Sequence, residues 1–362
     1  MKICLASTSA LESLPFRDGY AGIETYVGCL AKWFDEHGHE VHLFATENSY
    51  KPKNGKLHAF RKADVISGQP THPQQFFQDF WDDAECRDIL RSADIVNDHG
   101  HYHPFKFLKI NGFQHRYMLS LHSMIPDKFL PQGKFCNVGQ SFLHSRWMAK
   151  FTNEEWRTIL EGVNIDVYPF SGEERENRLL WVSRIWYPKG PDRAINIAEK
   201  VKMPIDIVGG EKFHGDDKFV EHIKERCEKS DYANYIGEVD HKTKVNLYQK
   251  AKAVLLPLRT HWNDPDGTEH FWVEPFGMIA PEANACGTPI ICSPNGGLME
   301  TVTHGYNGFF ANTEDEFVSA IRKVDELNHF SIRKRVEDYL TIDRVAKDFI
   351  ILYEEVANGK EW

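Results

Sequence analysis

Short apolar strands and amphipathic helices take turns along this chain twice over, and that alternation admits few folds. Residues 2–6, KICLA, are an apolar run of strand length, and residues 40–45, EVHLFA, are another. Between them Ile23, Val27, Leu30, Ala31 and Phe34 recur at helical spacing until Gly38 ends the turn. The same unit returns in the second half, where 179–183 reads as strand, 191–200 as helix and 204–208 as strand. Strand, helix and strand in succession build a parallel sheet with helices across it. At 362 residues the chain exceeds one ordinary core and suits two such bodies. The expectation is an α/β protein of two doubly wound, Rossmann-like domains with a cleft between them. No tandem repeat or low-complexity segment interrupts this plan.

Composition narrows the function classes. A chain that is 41% hydrophobic and 27% charged is a soluble globular one. No run approaches the ~20 apolar residues that cross a bilayer, and the first residues lack a cationic leader. The seven cysteines, at 4, 29, 86, 136, 227, 286 and 292, are scattered with no C-x-x-C pair. They read as buried thiols of a reducing compartment, so the expected location is cytoplasmic. A net charge of −10 disfavours nucleic acid as the main partner. Between 101 and 150, however, Lys106, Lys109, Arg116, Lys128, Lys134, Arg146 and Lys150 face only Asp127. That bias is either solvated surface or a patch for an anionic acceptor or a peripheral membrane contact.

The densest phrase is 270–297, HFWVEPFGMIAPEANACGTPIICSPNGG. Its pattern reads as loop, helix start near Gly277, about two turns of helix, then a short strand at 289–292. Pro281 is tolerated in a first turn, where its missing N–H has no partner to lose. A helix start exposes N–H groups that suit a phosphate. Glu274 and Glu282 flank that start with carboxylates that accept bonds from hydroxyl groups. The alternative is an ordinary helix with one solvated and one structural acid. The whole phrase, with EPFG, the EA-x-A-C-G-T-P-I run and Gly296-Gly297 followed by Glu300, resembles the E-x7-E signature of retaining, GT-B-fold glycosyltransferases of family 4.

That resemblance extends over the rest of the chain. Ala21-Gly22-Ile23-Glu24 and Gly38-His39-Glu40-Val41 are similar to the family's first loop and second strand, which implies that Gly22 lies against a donor diphosphate. The phrase at 94–99 resembles its D-V-V-H-x-H segment, with Asn97 in place of the first histidine and His99 at the second. His99 is thereby expected beside the transferred sugar. The cluster His99, His101 and His103 also has the alternation of a strand-end metal site, a reading set aside in favour of none. Arg184 and Lys189 match the family's R-x4-K pair, implied to hold the diphosphate, although alone they would be surface cations. Backbone and side chains of Phe276, Gly277, Met278 and Ile279 are implied in donor binding, with Val239 beside the base and Glu282 on the ribose.

His122 touches acceptor or diphosphate on this reading, or is a structural histidine. Residues 258–269 are an insertion relative to the family pattern, and Trp262, His270 and Trp272 around it would shape a sugar or acceptor pocket. Asp264-Pro265-Asp266 has D-x-D spacing but also strong turn chemistry, and is read as a turn. The resemblance implies a domain at 1–168 completed by a returning helix at 342–362, and a nucleotide-sugar domain at 169–341. It also implies transfer from a nucleoside-diphosphate sugar, with UDP favoured, to an unidentified acceptor hydroxyl, with retention and without a metal or other cofactor. Glu274, His99, Arg184 and Lys189 would carry the chemistry. Two rivals share the architecture: a sugar-nucleotide epimerase and a non-catalytic sugar-nucleotide-binding protein.

Overall fold

A computed structural model describes residues 1–16, 18–19, 22–63, 65–66, 69–70, 73–100, 116–122, 136–210, 217–264 and 266–362. His101, His103, Lys106, Lys109, Lys128 and Lys134, named above, lie outside these residues, as do Ala21, Asp127 and Pro265. The chain forms two units, one of Met1–Arg17, Ala21–Glu161 and Ile342–Trp362, the other of Asp18–Tyr20 and Gly162–Thr341.

Among the described residues the first unit is built on seven parallel strands. Lys2–Ala6 lies inside the sheet; Glu40–Phe44 and then Gly55–His58 extend it to one side, while Ile95–Asp98, Tyr117–Leu121, Cys136–Gly139 and Trp156–Thr158 extend it to the other. The central strands are buried without alternation because both faces are covered. On one face, Val27, Leu30 and Phe34 of the helix Gly22–Glu36 pack with Val345, Phe349 and Tyr353 of the last helix, Ile342–Ala357. On the other, Phe44, Phe80, Leu90 and Met148 form a second apolar layer. Burying each such side chain contributes about 1.5–3 kcal/mol.

Asn97, which stands where the sequence pattern has a histidine, is fully enclosed. Its amide donates to the Tyr353 hydroxyl at 2.7 Å and accepts from Ser120 Oγ at 2.8 Å, tying the terminal helix to the sheet. The segment 50–90 supplies both a sheet edge and part of the core. Gly55–His58 is an edge strand, two helices follow at Pro73–Asp82 and Ala84–Ser92, and Phe80 is buried in the core. Asp83 caps the second helix through a 2.9 Å bond from the Cys86 N–H. All seven cysteines are buried free thiols. Burial pushes Cys29 and Cys86 up to about 12 and Cys227 up to about 11, so these three are not poised as nucleophiles.

Among the described residues the main sheet of the second unit has six parallel strands in the order Ala233–Gly237, Ile205–Val208, Leu179–Val182, Ala253–Leu256, Ile290–Cys292 and Gly308–Phe310. Chain order therefore reverses between Leu179–Val182 and Ala253–Leu256, which is the doubly wound pattern of dinucleotide-binding sheets. Trp181, Ile195, Ile207, Leu255, Phe317 and Ile332 belong to its core. Ligands of such sheets gather outside the carboxyl ends of the strands at that reversal. No helix among the described residues is long and apolar enough to cross a membrane.

Candidate functional site

At the reversal in the second unit, the strand Leu179–Val182 runs out into Ser183 and Arg184. The Arg184 guanidinium lies over the Trp186 ring, 4.6 Å from its centroid, and its enclosed Nε has no partner among the described residues. The single-turn helix Tyr187–Lys189 follows, and Gly190, in the left-handed region at φ 66°, starts the helix Pro191–Val201. Trp181 Nε1 donates to the Lys189 carbonyl at 3.1 Å, so the turn carrying the lysine is fastened to the core.

Lys189 and Glu274 meet. Their side chains form a direct ion pair, each only about a tenth exposed (12% and 11%). Lys189 Nζ also sits 5.3 Å from the Trp272 ring centroid, and Trp272 packs edge-on against Trp186 at 4.8 Å. A run of cation, indole, indole and cation therefore links Lys189 to Arg184. Glu274 is buried because the loop that carries it is clamped from behind. Its N–H donates to Asn295 Oδ1 at 2.7 Å, and Asn295 Nδ2 in turn donates to the Thr260 hydroxyl and the Trp272 carbonyl. The Gly297 N–H donates to the Glu274 carbonyl at 2.8 Å.

Two glycines let this clamp close. Gly296 has φ 53°, and a Cβ there would lie 2.0 Å from the Glu274 carbonyl oxygen. Gly277 has φ 88°, and a Cβ would lie 2.5 Å from Leu298 Cδ2. The spacing of EPFG from the later glycine pair thus reflects packing of one turn on the other. We expect Gly296→Ala to destabilise the unit by about 1–3 kcal/mol, since the added methyl must displace backbone, and to depress activity with it. Chemical denaturation of the two proteins measures this directly, and an unchanged midpoint would contradict it.

Beyond Gly277 the helix Ile279–Ala285 begins at Met278 without a side-chain cap, and Pro281 lies in its first turn. Phe276 is buried, while Met278 and Ile279 are half-buried. Glu282 is set in a network of its own. Its Oε1 accepts from the Tyr168 hydroxyl at 2.7 Å, its Oε2 from the Tyr248 hydroxyl at 2.9 Å, and Lys244 Nζ reaches both oxygens at 3.3 and 3.2 Å. Burial first, and the Glu282 charge second, hold both tyrosines well above their ordinary range, so both hydroxyls stay protonated and donate. Val239 is half-buried beyond the strand Ala233–Gly237.

The insertion folds as an antiparallel hairpin, His261–Asn263 against Glu269–Phe271. Its tip is a turn: Asp264 N–H donates to the Thr268 carbonyl, Asp266 accepts from the Thr268 N–H, and Asp264 Oδ2 meets His270 Nε2 at 2.7 Å. Trp262 and His270 stack on each other at 5.1 Å, so their facing sides are covered. A polar groove of about 540 Å³ runs past Tyr187, Thr260, Trp262, Asn263, Ser293 and Asn312. Arg193 and Arg259 border it, but their guanidinium groups are engaged by backbone carbonyls and by Asp192.

In the first unit, Gly22 opens its helix exposed and with open space around it, so no packing argument demands glycine there. His99 follows the strand Ile95–Asp98 and is 1% exposed. Its Nδ1 meets His122 Nε2 at 2.8 Å, and His122 Nδ1 meets Glu161 Oε1 at 2.7 Å. Tyr26 lies edge-on to both rings, at 6.0 and 5.4 Å, and Phe349 edge-on to His99 at 5.9 Å. Burial, and then His122, depress His99 well below the ordinary imidazole value. His99 Nε2 is enclosed and has no partner among the described residues. Leaving such a group unsatisfied costs about 1–3 kcal/mol. Glu161, Lys244, Tyr168 and Tyr248 were not singled out in the sequence. Each lies more than 30 positions from the residue it holds, and no local pattern marks it.

Comparison with known proteins covers both units. The family model Glycosyl transferases group 1 matches residues 168–339, and Glycosyltransferase Family 4 matches 20–160. A glycogen synthase from Mycobacterium tuberculosis is 28% identical over 179 residues, covering 47% of this chain and 40% of that protein. The chain thus spans less than half the length of that curated relative. Among solved structures, sucrose-phosphate synthase from Thermosynechococcus elongatus superposes with TM-score 0.73 at 17% identity, covering 99% of this chain and 100% of that one. Anabaena HepE in complex with UDP-glucose superposes with TM-score 0.69 at 16% identity, covering 98% and 99%.

Proposed function

The chain belongs to the family 4, group 1 glycosyltransferases of the GT-B fold, and on that premise we propose that it moves a sugar from a nucleoside-diphosphate sugar to an acceptor hydroxyl with retention of anomeric configuration. The observation that carries this reading is the Lys189–Glu274 pair at the carboxyl end of a switch-point strand, with Arg184, whose Nε has no partner among the described residues, beside the same indoles. Breaking a glycosidic bond to a diphosphate builds negative charge on the leaving oxygens. A forked guanidinium and a compact ammonium, already oriented in a partly dry site, oppose that charge where it grows. Glu274, paired with Lys189, is placed to take the sugar hydroxyls, and the donor phosphate takes the acceptor proton.

With two fixed cations serving the diphosphate, the chemistry requires no metal, so turnover should continue unchanged in chelator. UDP is the favoured nucleotide, supported by the likeness to a structure that holds UDP-glucose, with GDP-mannose behind it. The acceptor binds to the first unit on this reading.

Thermal unfolding in the presence of UDP-, ADP- and GDP-sugars tests the donor. A ligand at 100 times its Kd stabilises the native state by about 2.7 kcal/mol. We expect one nucleotide series to raise Tm, and Arg184→Ala to abolish that shift. No shift with any of them would refute the reading. Release of an epimer from donor alone would replace it with the epimerase, and saturable binding with no transfer over a broad acceptor panel with the binding protein.

A further inference from the structure

We propose that His122 and Glu161 are positioning residues for His99, holding its imidazole as the Nδ1–H tautomer so that the Nε2 lone pair accepts a hydrogen bond from a hydroxyl of the transferred sugar. The inference rests on the donor reading above and adds the two residues that set which face of His99 a substrate meets.

Each link constrains the next. A carboxylate only accepts, so Glu161 Oε1 takes its 2.7 Å bond from an N–H on His122 Nδ1. A neutral imidazole carries one N–H, which leaves His122 Nε2 as an acceptor. His99 Nδ1, 2.8 Å away, must then donate. Its own single proton is spent there, and Nε2 is left as a bare lone pair. That is the enclosed nitrogen with no partner among the described residues. A sugar hydroxyl supplies the missing donor; an amide or phosphate oxygen does not.

The surroundings keep the chain of bonds in this state. Tyr26, from the first helix, and Phe349, from the last, wall the two rings with aromatic edges. Among the described residues the charged groups nearby belong to the last helix: Arg344 donates to the Glu161 carbonyl at 3.2 Å and pairs with Asp348 at 2.5 Å, and Tyr353 is neutral and bonded to Asn97. Burial resists adding a positive charge at His99. If His122 carried two protons, the direction of the chain would reverse and His99 would present Nε2–H instead.

Nitrogen-15 NMR of the histidine-labelled full chain separates these states in the native protein. With His99 assigned by its disappearance in His99→Gln, we expect a protonated Nδ1 and a bare Nε2. The same spectrum of His122→Phe should lose that preference. In binding, His122→Phe and Glu161→Gln should weaken UDP-glucose by about 10- to 100-fold, as loss of a supporting partner does elsewhere, and leave UDP unchanged. An Nε2–H tautomer in the native protein, or native UDP-glucose affinity in both variants, overturns the proposal. If the native chain binds neither UDP nor any nucleotide sugar, the donor reading falls, and with it the sugar hydroxyl, while the tautomer spectrum still decides whether the relay exists.

Discussion

Lys189→Met is expected to slow sugar transfer by about 100- to 1,000-fold, the loss that follows removal of one fixed charge-stabilising donor. Stability should fall as well, for a separate reason. Glu274, at 11% side-chain exposure, would keep its carboxylate and lose the ammonium that faces it. Removing one partner of a buried pair costs about 3–5 kcal/mol, because the remaining charge is stranded. The residual exposure of both side chains places this pair toward the lower figure. The two effects come apart in the double variant Lys189→Met/Glu274→Gln. Neutralising both partners should restore most of the unfolding free energy, whereas transfer should stay low or fall further. A cycle of the four proteins, read by denaturation and by turnover, measures both couplings. Full transfer in a folded Lys189→Met protein would remove the lysine from the mechanism.

Much of this site can be read without coordinates, and the reason is local. Glu274, Gly277, Gly296 and Gly297 lie within one stretch, and their spacing records one turn packed on another. Arg184 and Lys189 follow a strand whose apolar run is unmistakable. The edges of the sheets were harder. Gly55–His58 reads Gly-Lys-Leu-His, with two exposed residues and a single partner strand, so it has neither alternation nor an apolar run. Trp156–Thr158 is three residues long and equally silent. Side-chain partners are hardest of all. Nothing near Glu161 in sequence tells of His122, and nothing near Tyr168 tells of Glu282, 114 positions away. Folding brings these groups together through the sheet order, which motif reading does not supply.

That blind spot matters most at Glu282, where the sequence suggests a ribose contact and the structure adds a buried network. Glu282→Ala is expected to lower unfolding free energy by about 3–5 kcal/mol and to raise the KM for the donor. The stability loss follows from the Tyr168 and Tyr248 hydroxyls, which would lose their carboxylate acceptor, and from the Lys244 ammonium, which would keep only the Tyr168 hydroxyl at 3.2 Å. Each unsatisfied hydroxyl alone costs about 1–3 kcal/mol when enclosed. Glu282→Gln should be little better, because its amide nitrogen would confront a donor wherever it pointed. A purely ribose-binding acid behaves otherwise: its loss would raise KM and leave Tm untouched. A purely structural acid would do the reverse once stability is restored. The quadruple variant Glu282→Leu/Tyr168→Phe/Tyr248→Phe/Lys244→Met makes that separation, since it removes the two hydroxyls and the ammonium along with the carboxylate. If it regains stability and still binds the donor weakly, the carboxylate holds the nucleotide as well as the fold. If donor affinity returns with stability, the ribose contact must be assigned elsewhere.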